Sequence, residues 1–205
     1  MTLLAPEILL QTTIQEQIQT LMMSGNFNDI YGNLPTTPFD YQTDAANFWL
    51  QQGNSVTVLQ GYAWQEQNLP LIAIILGESS EVTAFQPIGE VVDVNYDATA
   101  GTYDEQHGSL FQTQYRLHVL ATNANLTLYI ALFLKWVLLT QRTNLTGYGL
   151  MEQRVTIGDL VPDPNAMKNE SLPVYERVLT LSCTHYDTYT VNGVVPDFTI
   201  DITGT

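Results

Sequence analysis

No stretch of this chain restricts the fold more than residues 125–142. Leu126, Tyr129, Ile130, Leu132, Phe133, Trp136, Val137 and Leu139 leave almost no polar face on a helix, and Lys135 is the one charge before Arg142. As a helix the segment would be roughly 27 Å long, at 1.5 Å per residue. A helix apolar on nearly every side has to be covered on most of them. One side can rest on a sheet. The other needs a second helix, a loop or a neighbouring subunit. The apolar run Leu126–Leu139 is too short, and too interrupted by Lys135, to cross a bilayer.

The spacing of apolar residues elsewhere supplies the partners. Leu10, Ile14, Ile18, Leu21 and Met22 form a stripe that predicts a helix over 6–24, with Pro6 at its first position and Gly25 as its stop. Residues 26–42, with Gly32, Pro35 and Pro38, read as an ordered loop, and a short helical turn follows over 44–51 with Phe48 and Trp49 as anchors. Strands are predicted at 56–60 and 71–76, the second apolar on both faces as in the centre of a sheet. Val91, Val92 and Val94 lead out along a strand, residues 96–108 read as a long turn, and 111–121 returns with clean alternation. There Phe111, Tyr115, Leu117, Val119 and Ala121 face one way, and Gln112, Gln114, Arg116 and His118 the other. Two more strands are expected at 151–157 and 174–184, separated by Pro162 and Pro164. Asn192-Gly193 signals a hairpin turn near the end.

Together these elements predict an α/β (α+β) chain. Its sheet is mixed and mainly antiparallel, is flanked by helices, and carries a projecting β-hairpin and an extended C-terminal arm. The expected division is one α/β domain over 1–186 with an acidic hairpin insertion at 78–121, followed by a hairpin or arm over 187–205.

Charge narrows the function. The 205 residues hold 21 acids and 6 bases, a formal charge of -15, so nucleic acid is not expected as a bound partner. With 45% hydrophobic residues the chain is not disordered, and the acids must decorate a folded surface. Cys183 is the single cysteine, so no intrachain disulfide can form, and a reducing compartment fits. No basic stretch precedes an apolar one at the N-terminus, so no signal peptide is expected.

Few residues suggest chemistry. Asp93, Asn95, Asp97, Thr99, Gly101 and Asp104 repeat the ligand spacing of a twelve-residue calcium loop, although Ala98 stands where glycine makes the sharp turn. The competing interpretation is a solvated acidic hairpin tip, and no metal or cofactor is expected. Cys183 and His185 share a strand face and could pair as nucleophile and base, or could simply be a core thiol beside a histidine. His107, beside Asp104 and Glu105, reads as an exposed loop residue, with a metal contact as the alternative. Phosphate-binding, dinucleotide-binding, serine-hydrolase and zinc-protease motifs are missing, and no enzyme activity is expected.

The stretch from Tyr115 to Cys183 resembles a known pattern. It runs YRLHVLATNANLTLYIALFLKWVLLTQRTNLTGYGL, then DLVPDP, then PVYERVLTLSC. A strand, a long apolar helix ending in a basic residue, an alternating strand, a proline break and a final strand are similar to tail-terminator and neck (head-to-tail joining) proteins of tailed bacteriophages. The resemblance implies a mixed α/β virion structural protein whose copies form an oligomeric ring, a hexamer as a rule, at the top of the tail tube. Such a ring ends tube growth and contacts the tail tube, the tail sheath and the connector or neck proteins. DNA passes through its lumen without specific binding. The implied location is the virion, and the host cytoplasm before viral tail assembly. No catalytic residues carry over. Expected interface residues are Leu132, Phe133, Trp136, Val194 and Phe198. The acidic segment 78–108 and the arm after Asp187 depart from compact terminators. They keep another neck component, a sheath-capping protein, and a stand-alone binding module using the acidic hairpin open as alternatives.

Overall fold

The computed structural model describes residues 6–61, 68–82, 90–97, 102–162 and 174–194. Among them are five α-helices, α1 (Pro6–Ser24), α2 (Asn28–Tyr31), α3 (Tyr41–Gln52), α4 (Ala124–Thr140) and α5 (Arg142–Gly147). Six strands accompany them: β1 (Thr57–Gln60), β2 (Leu71–Glu81), β3 (Glu90–Asp97), β4 (Thr102–Ala121), β5 (Met151–Pro162) and β6 (Tyr175–Val194). The strands form one sheet in the order β1-β2-β4-β6-β5, with β3 paired to β4. The β1–β2 pair is parallel, whereas β3–β4 and β5–β6 are antiparallel. The chain is thus a mixed α/β protein with a mainly antiparallel sheet and flanking helices.

Two compact units divide the chain. One comprises Ala5–Ser80 and Gln112–His185, and the other holds 81–111 and 186–205 together with the first four residues. Residues 81–111 of the expected hairpin insertion (78–121) and residues 186–205 thus fall in the smaller unit.

In the larger unit the core lies between the helices and one sheet face. Leu10, Ile14, Ile18 and Leu21 of α1 are buried, and Gly25 ends the helix in the left-handed conformation at φ 64°. α1 packs beside β1 and closes that edge of the sheet. The Gln11 side chain donates to the Val58 carbonyl (2.9 Å) and accepts from the Gln60 amide (2.8 Å). On the sheet, Tyr115, Leu117, Val119 and Ala121 of β4 and Leu179, Leu181 and Cys183 of β6 are buried in strict alternation. Leu71 to Ile74 are buried at every position, as a strand between two neighbours requires.

α4 fills the space over this face. It contacts α1, α2, α3, α5 and β5. Phe133 stacks against Trp49 of α3 with ring centroids 4.8 Å apart. Asn123 caps the helix by accepting from the Asn125 amide at 2.8 Å. α4 stops at Thr140, short of the expected Arg142, which instead opens α5. The Thr140 hydroxyl turns back onto the Trp136 carbonyl (2.9 Å), a local bond that competes with helix continuation.

Other boundaries also differ from expectation. α3 begins at Tyr41 because Asp40 caps it, accepting from the Thr43 amide (3.1 Å) and hydroxyl (2.7 Å). The expected loop over 26–42 contains α2. The expected long turn over 96–108 is mostly strand: β4 starts at Thr102 and pairs with β3 from Asp97↔Thr102 to Glu90↔Gly108. Acidic, glycine-containing composition suggested a turn there, but ladder pairing overrides that local preference. Asn192-Gly193 forms no hairpin turn, since β6 continues through it to Val194. β5 extends to Pro162, which an edge strand tolerates. It carries two register shifts, and Glu152 has φ 48° at the first. Among the described residues no helix is long and apolar enough to cross a membrane.

Candidate functional site

The described part of the acidic run whose spacing copies a calcium loop lies in a ladder. Asp93 and Asn95 lie on β3, with Asp93 opposite Gln106, Asn95 opposite Asp104 and Asp97 opposite Thr102. Along a strand each residue advances about 3.3 Å, so the backbones of Asp93 and Asp97 stand roughly 13 Å apart. Calcium ligands must converge to about 2.3–2.6 Å from one ion. A strand spaces these backbone positions further apart than a coiled loop does. Thr99 and Gly101 lie outside the described residues. His107, expected in a loop, sits opposite Val91 in the same ladder. Among the described residues no group of three or more His, Cys, Asp or Glu side chains is arranged to hold a metal ion.

Cys183 and His185 do share a face of β6, and that face is the buried one. The His185 ring lies 3.5 Å from the Thr113 hydroxyl. Burial pushes the Cys183 thiol up to about 11, so it stays protonated near neutrality. A nucleophilic cysteine needs the opposite shift. Cys183 should therefore resist alkylation by iodoacetamide in the native protein and react only when the chain unfolds. Rapid native-state labelling at neutral pH would contradict this burial. The sign of its pH effect follows. The unfolded thiol loses its proton near 9.0, whereas the native one holds it to about 11. This contribution to stability is complete below pH 9 and is lost as pH rises through that window.

The polar face of the sheet carries features that local sequence could not connect. His118 on β4 and Glu176 on β6 are hydrogen-bonded through Nδ1 and Oε1, across 58 residues of chain. Beside them Arg116 extends past Gly77 of β2, where a Cβ would stand 3.2 Å from its Nε. Further along, Glu78, Ser80, Gln112, Thr113, Gln114 and Ser182 line an open groove of about 190 Å³. Hydroxyls and amides dominate it, which suits hydration more than acid–base or covalent chemistry.

A second polar network lies in the helical layer. Trp49 Nε1 donates to the Tyr31 hydroxyl (2.5 Å), and that hydroxyl donates to the Tyr129 carbonyl (2.9 Å). The Tyr129 hydroxyl donates to Asp44 (2.8 Å). Burial raises the Tyr31 phenol far above its ordinary range, and desolvation followed by the Asp44 carboxylate does the same for Tyr129. Both remain neutral donors, which is a structural role.

The expected interface residues divide. Phe133 is 0% exposed and belongs to the core, so it is not available to a partner. Leu132 and Trp136 are half-buried. Val194 ends β6, and Phe198 lies outside the described residues. No protein-family model matches the chain. No curated protein matches it significantly.

Proposed function

We propose that this chain is a non-enzymatic structural subunit of a phage tail or neck. Copies form a ring that terminates the tail tube and joins it to the head connector, with DNA passing through the lumen. The observation that carries this reading is the segment Tyr115–Cys183. Its strand, apolar helix and two following strands fold as β4, α4, β5 and β6, with the three strands adjacent in one sheet and α4 in the layer over it. The resemblance implies a sheet flanked by helices, and these elements are compatible with it. The charge of -15 suits a wall that must let a polyanion slide past without gripping it.

The test is the solution mass by light scattering after gel filtration, with negative-stain imaging of the same fractions. Closed rings with a central hole are expected, either alone or on added tail tubes. A chain that stays monomeric and leaves tube ends uncapped would sink the reading.

A further inference from the structure

A second groove of the larger unit runs between α1 and the turn from α4 into α5, and holds about 440 Å³. That lies within the size range of small-molecule sites, roughly 300–1,000 Å³. Thr13 and Glu16 line it from α1, where a spacing of three puts them on one face. The rest of the lining includes Gln141, Thr143, Asn144 and Tyr148. Most small-molecule sites are walled by apolar side chains. This one offers hydroxyls, amides and a carboxylate, with Tyr148 as its aromatic ring. Leu145 is buried and anchors α5 to the core, while Asn144 and Tyr148 stay outside. The Tyr148 amide donates to the Asn144 carbonyl at 3.0 Å, so the two residues stand one helical turn apart.

These groups are available to a ligand. Glu16 is exposed and Tyr148 is 63% exposed. Among the described residues neither the Glu16 carboxylate nor the Tyr148 hydroxyl has a hydrogen-bonding or ionic partner. The Asn144 amide donates to the Gln141 side-chain carbonyl at 2.7 Å. That bond holds the two side chains together and leaves the Gln141 amide as a donor and the Asn144 side-chain carbonyl as an acceptor.

This mixture of donors and acceptors selects the ligand. A cation carries donors only and leaves the Gln141 amide without an acceptor. An anion carries acceptors only and meets the Glu16 carboxylate. A ligand built of hydroxyl groups donates to Glu16 and Asn144 and accepts from Gln141, so it satisfies both kinds of group. A sugar ring adds a second match, because its C–H face can lie on the exposed Tyr148 ring, an apolar body beside a polar tip.

We propose that this groove binds a neutral sugar ring, with hydroxyls on Glu16 and the Gln141–Asn144 pair and the C–H face against Tyr148. The inference stands apart from the subunit reading, since the site is complete within one chain.

The experiment follows backbone amide NMR shifts of the full, isotopically labelled chain. It is titrated with glucose, galactose, N-acetylglucosamine and maltotriose, and in parallel with choline and inorganic phosphate. At least one sugar is expected to shift the amides of 13–16 and 141–148 saturably, and neither charged compound is. Tyr148→Ala should weaken that binding about tenfold, and Glu16→Gln severalfold. Both side chains lie on the surface, so the melting temperature should not change in either variant. No saturable shift with any of the sugars, saturation by choline or phosphate instead, or sugar binding undiminished in Tyr148→Ala would overturn the proposal.

Discussion

Phe133→Ala should destabilise the folded chain by about 3–5 kcal/mol, the usual cost of emptying an aromatic site in a packed core. The ring is 0% exposed. It lies 4.8 Å from Trp49 and 6.4 Å from Trp136, measured between ring centroids. It thus links α4 to α3 through large aromatic side chains from both helices. The surrounding backbone belongs to helices with capped starts, so collapse around the void would have to distort two elements at once. Urea unfolding followed by tryptophan fluorescence would measure the loss. The outcome also separates core from contact surface. Phe133 was expected at an interface with another subunit, yet its neighbours are all internal. A Phe133→Ala protein of normal stability that failed only in assembly would contradict the packing described above.

Tyr31→Phe should cost about 1–3 kcal/mol although it removes a single oxygen atom. That oxygen accepts the Trp49 indole N–H at 2.5 Å and donates to the Tyr129 carbonyl at 2.9 Å, in a site closed to water. Phenylalanine keeps the shape and leaves the indole N–H buried without an acceptor. The carbonyl suffers less, because it sits within α4 where a helical N–H can still reach it. Tyr129→Phe is the informative comparison. It removes the bond to Asp44 at the edge of the network, where water can replace it, and should cost clearly less. Equal losses in the two variants, measured by chemical denaturation, would show that the indole is satisfied in some other way.

These two residues illustrate why the expected interface was only partly legible. On α4 nearly every position is apolar, so periodicity announces a buried helix without saying which side meets the parent sheet and which side stays open. Phe133 and Leu132 are adjacent and equally apolar, yet one is core and the other half-exposed. Only the placement of α1, α2 and α3 distinguishes them. The His118–Glu176 pair was invisible for a related reason. His118 was recognised on the polar face of its strand, but its partner lies 58 residues away and is brought near by the β4–β6 pairing.

Elements with a strong period and a clear end signal followed directly from local chemistry. α1 is bounded by Pro6 and Gly25, its buried positions are those of its apolar stripe, and the alternation of β4 and β6 predicts which residues enter the core. Their side-chain pattern states the face, and burial rewards that face whatever else the chain does. Segments whose local preferences were weak or contrary depended on partners. Residues 102–108 look like a turn and Asn192-Gly193 looks like a hairpin, yet both lie in strands, the first paired along its length with β3. Pairing with β4 also makes Asp93–Asp97 part of a ladder, where spacing alone offered a calcium loop as one interpretation. Local sequence carries periodicity and caps, which act over a few residues. Hydrogen-bond partners and solvent exposure are properties of distant residues brought together, and in this protein they settle which apolar and acidic side chains remain available to another molecule.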